Sequence, residues 1–154
     1  MNKKRVVWTL AAVLYVAFIF HNYMTPAVES SGQSGAVVRA VVAALGNLGL
    51  EGGWVTEHLV RKTAHFVEYA VLGMILWNCL RAYRMENQRW LLWQLWLGTV
   101  IPLMDETIQL FTEGRSGQIS DVWLDMSGVL AGGCVMILCY VAVKRKSGGD
   151  SEMA

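Results

Sequence analysis

Arg61-Lys62-Thr63-Ala64-His65-Phe66-Val67-Glu68-Tyr69 stands at the mouth of an apolar run that continues through Leu72, Met74, Ile75, Leu76 and Trp77. In a helix, at about 100° per residue, Arg61, His65, Glu68 and Leu72 share one face, with Lys62 and Tyr69 beside it. Charge on a lipid-facing helix is expensive, so this face should turn into the protein or a wet cavity. Other helices must then supply its partners.

The remainder of the chain fits that setting. It has 154 residues, 55% of them hydrophobic and 16% charged, with a mean hydropathy of +0.38. A soluble domain carries roughly 25% charged residues. The net charge of +1 gives no basic field and excludes a nucleic-acid partner. Cys79, Cys134 and Cys139 lie in apolar runs without CxxC or Cys/His spacing, and read as small packing residues.

Four apolar segments are long enough to cross a bilayer, which takes about 20 residues. They cover about residues 6–24, 60–80, 90–111 and 121–143. The first follows Lys3-Lys4-Arg5. A cleaved signal peptide is the competing reading there, but the run is long for one and no clear A-x-A site follows. Thr25 to Gly35, with Pro26, is expected to be a polar loop. Ala36 to Leu45 is apolar almost all round, broken by Arg39, and too short to span. It is expected to be a short extracytoplasmic helix, interfacial or re-entrant. Gly46, Gly49, Gly52 and Gly53 end it, and Trp54 suits an interface anchor. Pro102 removes a backbone donor inside the third span, opposite the Gly98 carbonyl. Ser120 is the expected N-cap of the fourth span, with Asp121 favourable at its start. The expected fold is therefore a single all-α membrane domain over residues 1–154, a four-helix transmembrane bundle.

Lys3, Lys4 and Arg5, then Arg81, Arg84 and Arg89, then Lys144, Arg145 and Lys146 fall on one side of that arrangement. The positive-inside rule makes that side cytoplasmic, termini included. Arg39, Arg61, Lys62 and Arg115 fall on the other side, among acids, where they read as a site. The third span brings Asp105, Glu106 and Gln109 within about a 100° arc. The fourth aligns Asp121, Asp125, Gly128 and Gly132 on one face, and Gly128-x-x-x-Gly132 permits close helix approach. These groups share one depth with Arg61, Lys62, His65 and Glu68.

Polar groups of this kind commonly just fasten helices together, at about 0.6 kcal/mol each. Against that, Glu68, Asp105, Glu106, Asp121 and Asp125 outnumber Arg61, Lys62 and Arg115. The surplus negative charge must be protonated, hydrated or matched by a ligand. Phe66 and Tyr69 also suit packing, and Trp90, Trp93 and Trp96 suit lipid-facing anchors. A divalent metal at His65, Glu68, Asp105 and Glu106 is chemically feasible. No HExxH-type spacing supports it, so no metal or other cofactor is assigned.

The pattern Arg61-Lys62-x-x-His65-Phe66-x-Glu68-Tyr69, then Asp105-Glu106-x-x-Gln109-x-Phe111-x-x-Gly114-Arg115, then Asp121-Val122 and Gly128, resembles the VanZ-like family of small bacterial membrane proteins. The likeness runs over about residues 6–143, leaves the Ala36 to Leu45 segment outside the motif, and places Asp125 where Asn is frequent. One family member lends low-level resistance to the glycopeptide teicoplanin, so the resemblance implies an envelope role and a link to antibiotic resistance.

Two functions follow as expectations. In the first, an outer-leaflet site binds or modifies a lipid-linked cell-wall precursor or a phospholipid headgroup. Arg61, Lys62 and Arg115 would hold phosphate or carboxylate, with Tyr69, Glu106, Gln109 and Asp125 completing the binding set. Glu68, His65, Asp105 and Asp121 are the candidate acid–base groups. No nucleophilic Ser or Cys motif is visible. In the second, the protein is a non-catalytic membrane shield or partner-binding protein whose polar cluster only fastens the bundle. A transporter or proton relay is the weaker third reading, because no internal repeat is visible.

Overall fold

The computed structural model describes the backbone of residues 2–24, 27–85, 89–115 and 117–149, and the side chains over those ranges except 27–30 and 146–149. Five helices account for nearly all of it: α1 (Lys3–Tyr23), α2 (Ala27–Asn47), α3 (Glu57–Ala82), α4 (Arg89–Leu110) and α5 (Ile119–Gly149).

Local chemistry sets several helix starts. Asn2 caps α1 by accepting from the Lys4 amide at 3.1 Å. Thr56 caps α3 by accepting from the Leu59 amide at 3.2 Å, and Glu57 puts negative charge in its first turn. The start of α5 differs from expectation. Ser120 lies inside the helix and donates to Gln118 Oε1 and Asp121 Oδ1. The Gln118 carbonyl closes the first turn, accepting from the Asp121 amide at 2.9 Å.

α3 is the hub, packing against α1, α2, α4 and α5, with its broadest contact on α5. Glycines make that contact possible. A Cβ on Gly132 would run into the Ala70 carbonyl, and one on Gly73 into the Val129 carbonyl. One on Gly128 would lie 2.6 Å from the Phe66 carbonyl. The expected close approach at Gly128 and Gly132 is thus present, and Gly73 answers it from α3. α4 runs through Pro102, and Gln94 on α4 reaches across to donate to the Gly73 carbonyl at 2.9 Å.

The polarity is inside out. Leu14, Leu92, Phe111 and Leu138 are exposed, whereas His65, Gln94, Asp105, Glu106, Gln109 and Asp125 are buried. A surface of that kind belongs in lipid. By length and composition α1, α3 and α5 can cross a membrane, which covers three of the expected spans. α4, the fourth, has 22 residues, a length of about 33 Å at 1.5 Å per residue. Its tryptophans, Gln94, Asp105, Glu106 and Gln109 keep it below the apolar level of the others.

The segment after α1 needs correction. The expected loop up to Gly35 is helical from Ala27, so α2 has 21 residues and is not short. Thr25 and Pro26 lie outside the described residues. Serines and glycines disfavour helix intrinsically, but packing overrides propensity here. Gly35 is buried with Glu57 beside it: a Cβ there would sit 3.1 Å from Glu57 Oε1.

Candidate functional site

The C-terminal end of α1, the first half of α3, the last half of α4 and the start of α5 meet at one end of the bundle, with the α4–α5 loop above them. At the opposite end Arg5 donates to the Ala82 carbonyl, and Arg81 stacks between Trp77 and Tyr140. The buried acids and these two arginines therefore lie at opposite ends.

The most buried part is a cluster of His65, Asp105, Glu106 and Asp125, drawn from α3, α4 and α5. One ligand atom from each lies within 4.8 Å of the others. His65 Nδ1 stands 3.4 Å from Asp125 Oδ1. Gln109, one turn along α4, donates Nε2 to both Asp105 Oδ2 and Glu106 Oε1 at 3.2 Å. Glu106 Oε2 also accepts from the Gln118 amide at 2.7 Å. The Tyr69 hydroxyl is buried beside Asp105. The Tyr23 ring packs on the His65 ring with centroids 4.4 Å apart, which fixes the imidazole plane.

His65 also borders a cavity of about 250 Å³. Arg61, Glu68, Arg115, Asn22 and Tyr23 line it, together with Gln33 and Ser34 from α2. The Arg115 guanidinium sits 5.4 Å from the Tyr23 ring centroid. Burial draws the Arg115 pKa down, Tyr23 and the nearby carboxylates pull it up, and Arg61 opposes them. An arginine stays charged under these influences.

Three predicted residues are engaged elsewhere. Lys62 pairs with Asp121 at 2.6 Å, with both side chains partly exposed. That bond ties α3 to α5. Glu68 is half-buried and bound to α1, accepting from Tyr23 at 2.5 Å and from Asn22 at 3.2 Å. Of the candidate acids, Asp105 and Asp125 lie deepest, fully buried. The metal-competent set contains Asp125 in the place the sequence reading gave to Glu68.

The structure thus brings His65, Tyr69, Asp105, Glu106, Gln109 and Asp125 together, with Arg61, Glu68 and Arg115 around the adjoining cavity and Lys62–Asp121 as a separate, partly exposed pair between α3 and α5. Sequence reasoning missed Asn22, Tyr23 and Gln118. The one signal for the first two was a pair of polar residues closing the apolar run of α1.

The VanZ/LLP1 family profile matches residues 7–141, nearly the whole described bundle and all of the residues just named. No curated protein and no solved structure matches the chain. With a match of that extent, this chain belongs to the VanZ/LLP1 family and is a VanZ-like membrane protein.

Proposed function

We propose that this protein crosses the membrane four times, through α1, α3, α4 and α5, with both termini cytoplasmic. Its polar cavity then opens at the outer leaflet, where it takes the anionic headgroup of a phospholipid or lipid-linked envelope precursor. The separation of ends supports the orientation: Arg5 and Arg81 lie at the end opposite the acidic cluster.

The observation that carries the reading is the cavity in which Arg61 and Arg115 stand with His65 and Glu68. Two guanidinium groups suit a phosphate or carboxylate. The volume of about 250 Å³ falls under the roughly 300–1,000 Å³ of sites that enclose a drug-sized molecule. A headgroup fits that size, with its acyl or polyprenyl chain left in lipid; a whole glycopeptide does not. A link to teicoplanin resistance would then act through the precursor or lipid, not through capture of the drug.

Mass spectrometry of envelope lipids and precursors, with and without the protein, tests this. The same method reads lipid retained on the purified protein. Retention that disappears in Arg61→Ala and Arg115→Ala supports a headgroup site. A changed envelope composition identifies an enzyme, and an unchanged one a binder. Equal retention in wild type and both variants overturns the reading.

The second reading, a cluster that only fastens the bundle, draws on the Lys62–Asp121 and Glu68–Tyr23 contacts, which join helices. It predicts no retained lipid and no change in composition.

A further inference from the structure

Whatever fills the cavity, the cluster beneath it poses a separate problem. Asp105 and Asp125 are fully buried, Glu106 is 4% exposed and His65 is 6% exposed. Several of their polar atoms have no hydrogen-bond partner: Asp105 Oδ1 and Asp125 Oδ2 have none, and His65 Nδ1 and Asp125 Oδ1 meet each other at 3.4 Å without forming a hydrogen bond. Buried polar atoms are almost always bonded, and each orphan calls for a cause. Three carboxylates also outnumber the one imidazole in this buried cluster, with Arg115 of the adjoining cavity acting on Asp105 and Glu106.

We infer that His65, Asp105, Glu106 and Asp125 hold a single divalent transition-metal cation, of the zinc or manganese kind. The four ligand atoms lie within 4.8 Å of one another. Ligands at about 2.1 Å from a metal stand roughly 3.4 Å apart in a tetrahedron and about 4.2 Å apart across an octahedron. Modest side-chain rotation closes the set onto an ion. One imidazole with three carboxylates suits zinc, manganese or ferrous iron. Calcium takes 6–8 oxygens and magnesium near-ideal octahedral oxygen ligation, so a buried four-ligand set with an imidazole nitrogen suits neither.

The surroundings already do what an outer shell does. Gln109 donates to Asp105 and Glu106, and the Gln118 amide donates to Glu106 Oε2. Those bonds aim the carboxylates: Asp105 Oδ1 stays open, and each Glu106 oxygen carries one bond and keeps a second lone pair. The Tyr23 ring holds the imidazole. Ligands from α3, α4 and α5 would make the ion a staple between helices, at the wall of the cavity that His65 also borders.

The test uses the full-length protein, purified in detergent without a metal-binding tag, stripped with EDTA and dialysed. Elemental analysis and calorimetric titration with Zn²⁺, Mn²⁺, Mg²⁺ and Ca²⁺ should give one Zn²⁺ or Mn²⁺ per chain and a higher unfolding midpoint. Asp125→Asn and His65→Ala should weaken binding at least roughly 100-fold, the upper end for loss of a mere outer-shell partner. Glu113→Gln, an exposed acid outside the cluster, should bind as wild type does. Should the variants not accumulate, the wild type decides through Co²⁺, whose visible bands should report a nitrogen–oxygen site of low coordination number. The proposal fails if stripped wild type takes up neither Zn²⁺ nor Mn²⁺. It fails equally if only Mg²⁺ or Ca²⁺ binds, or if all variants bind alike. None of these measurements depends on a lipid ligand.

Discussion

Glu68 and Asp125 are both acids at the same end of the bundle, yet they do opposite things to the fold. Glu68 is half-buried and receives two hydrogen bonds from α1, whereas the fully buried Asp125 accepts none and meets only His65, at 3.4 Å. A charge-assisted bond that becomes a neutral one loses about 1 kcal/mol. Glu68→Gln should therefore lower the thermal unfolding midpoint in detergent. Asp125→Asn, measured in EDTA, should leave the midpoint unchanged or raise it, because it removes one of several crowded, desolvated carboxylates. A fall for Asp125→Asn as large as that for Glu68→Gln would mean that the negative charge is itself a structural requirement. The Lys62–Asp121 pair is partly exposed, and a double-mutant cycle with alanines should give a coupling of at most about 1 kcal/mol. The types and rough grouping of these residues were legible in the sequence. Their division into fasteners and unbonded acids was not, since it turns on Asn22, Tyr23 and Gln118, which come from other parts of the chain.

Among the elements, the α3–α5 crossing is the one with least room. Gly132 lies against the Ala70 carbonyl and Gly73 against that of Val129, so backbone, not a flexible side chain, fills the space. Gly132→Val should cost more than the roughly 1–3 kcal/mol usual for overpacking, or prevent accumulation in membranes. Gly32 in α2 is the contrast: a Cβ added there would meet nothing within 4 Å. Gly32→Ala should gain about 0.5–1 kcal/mol of helix stability. Circular dichroism and melting of the two variants check both directions; equal effects would deny that the crossing is specially close. The small-xxx-small spacing made half of this crossing visible in the sequence. α2 was misread over its first turns because Ser and Gly signal a loop, and the contact at Gly35 that favours helix involves Glu57, 22 positions further on.

For the whole molecule the testable quantity is orientation. The proposed topology puts Ser34 and Glu113 outside and Arg84 inside. Single cysteines at these positions, in a background lacking Cys79, Cys134 and Cys139, should react with a membrane-impermeant reagent from outside at the first two only. The reverse pattern would move the polar cavity to the cytoplasmic leaflet and end the proposed outer-leaflet role. The same inside-out construction explains why burial is no guide to hydrophobicity here. Phe111 is 87% exposed and Asp105 is 0% exposed, as expected when the solvent is lipid and the polar groups must find each other.

By itself the sequence determined the class of solvent, the helices α1, α3, α4 and α5, and the end of the bundle where charge collects. Those properties depend on hydropathy over about 20 residues and on helical period, which are local sums. Only the tertiary structure decided which acids are satisfied and which are not, that His65 faces Asp125, and that α2 walls the cavity. The physical reason is range. Whether a buried carboxylate is a fastener or a ligand depends on groups within a few ångströms in space, and in this fold those groups come from helices tens of residues apart.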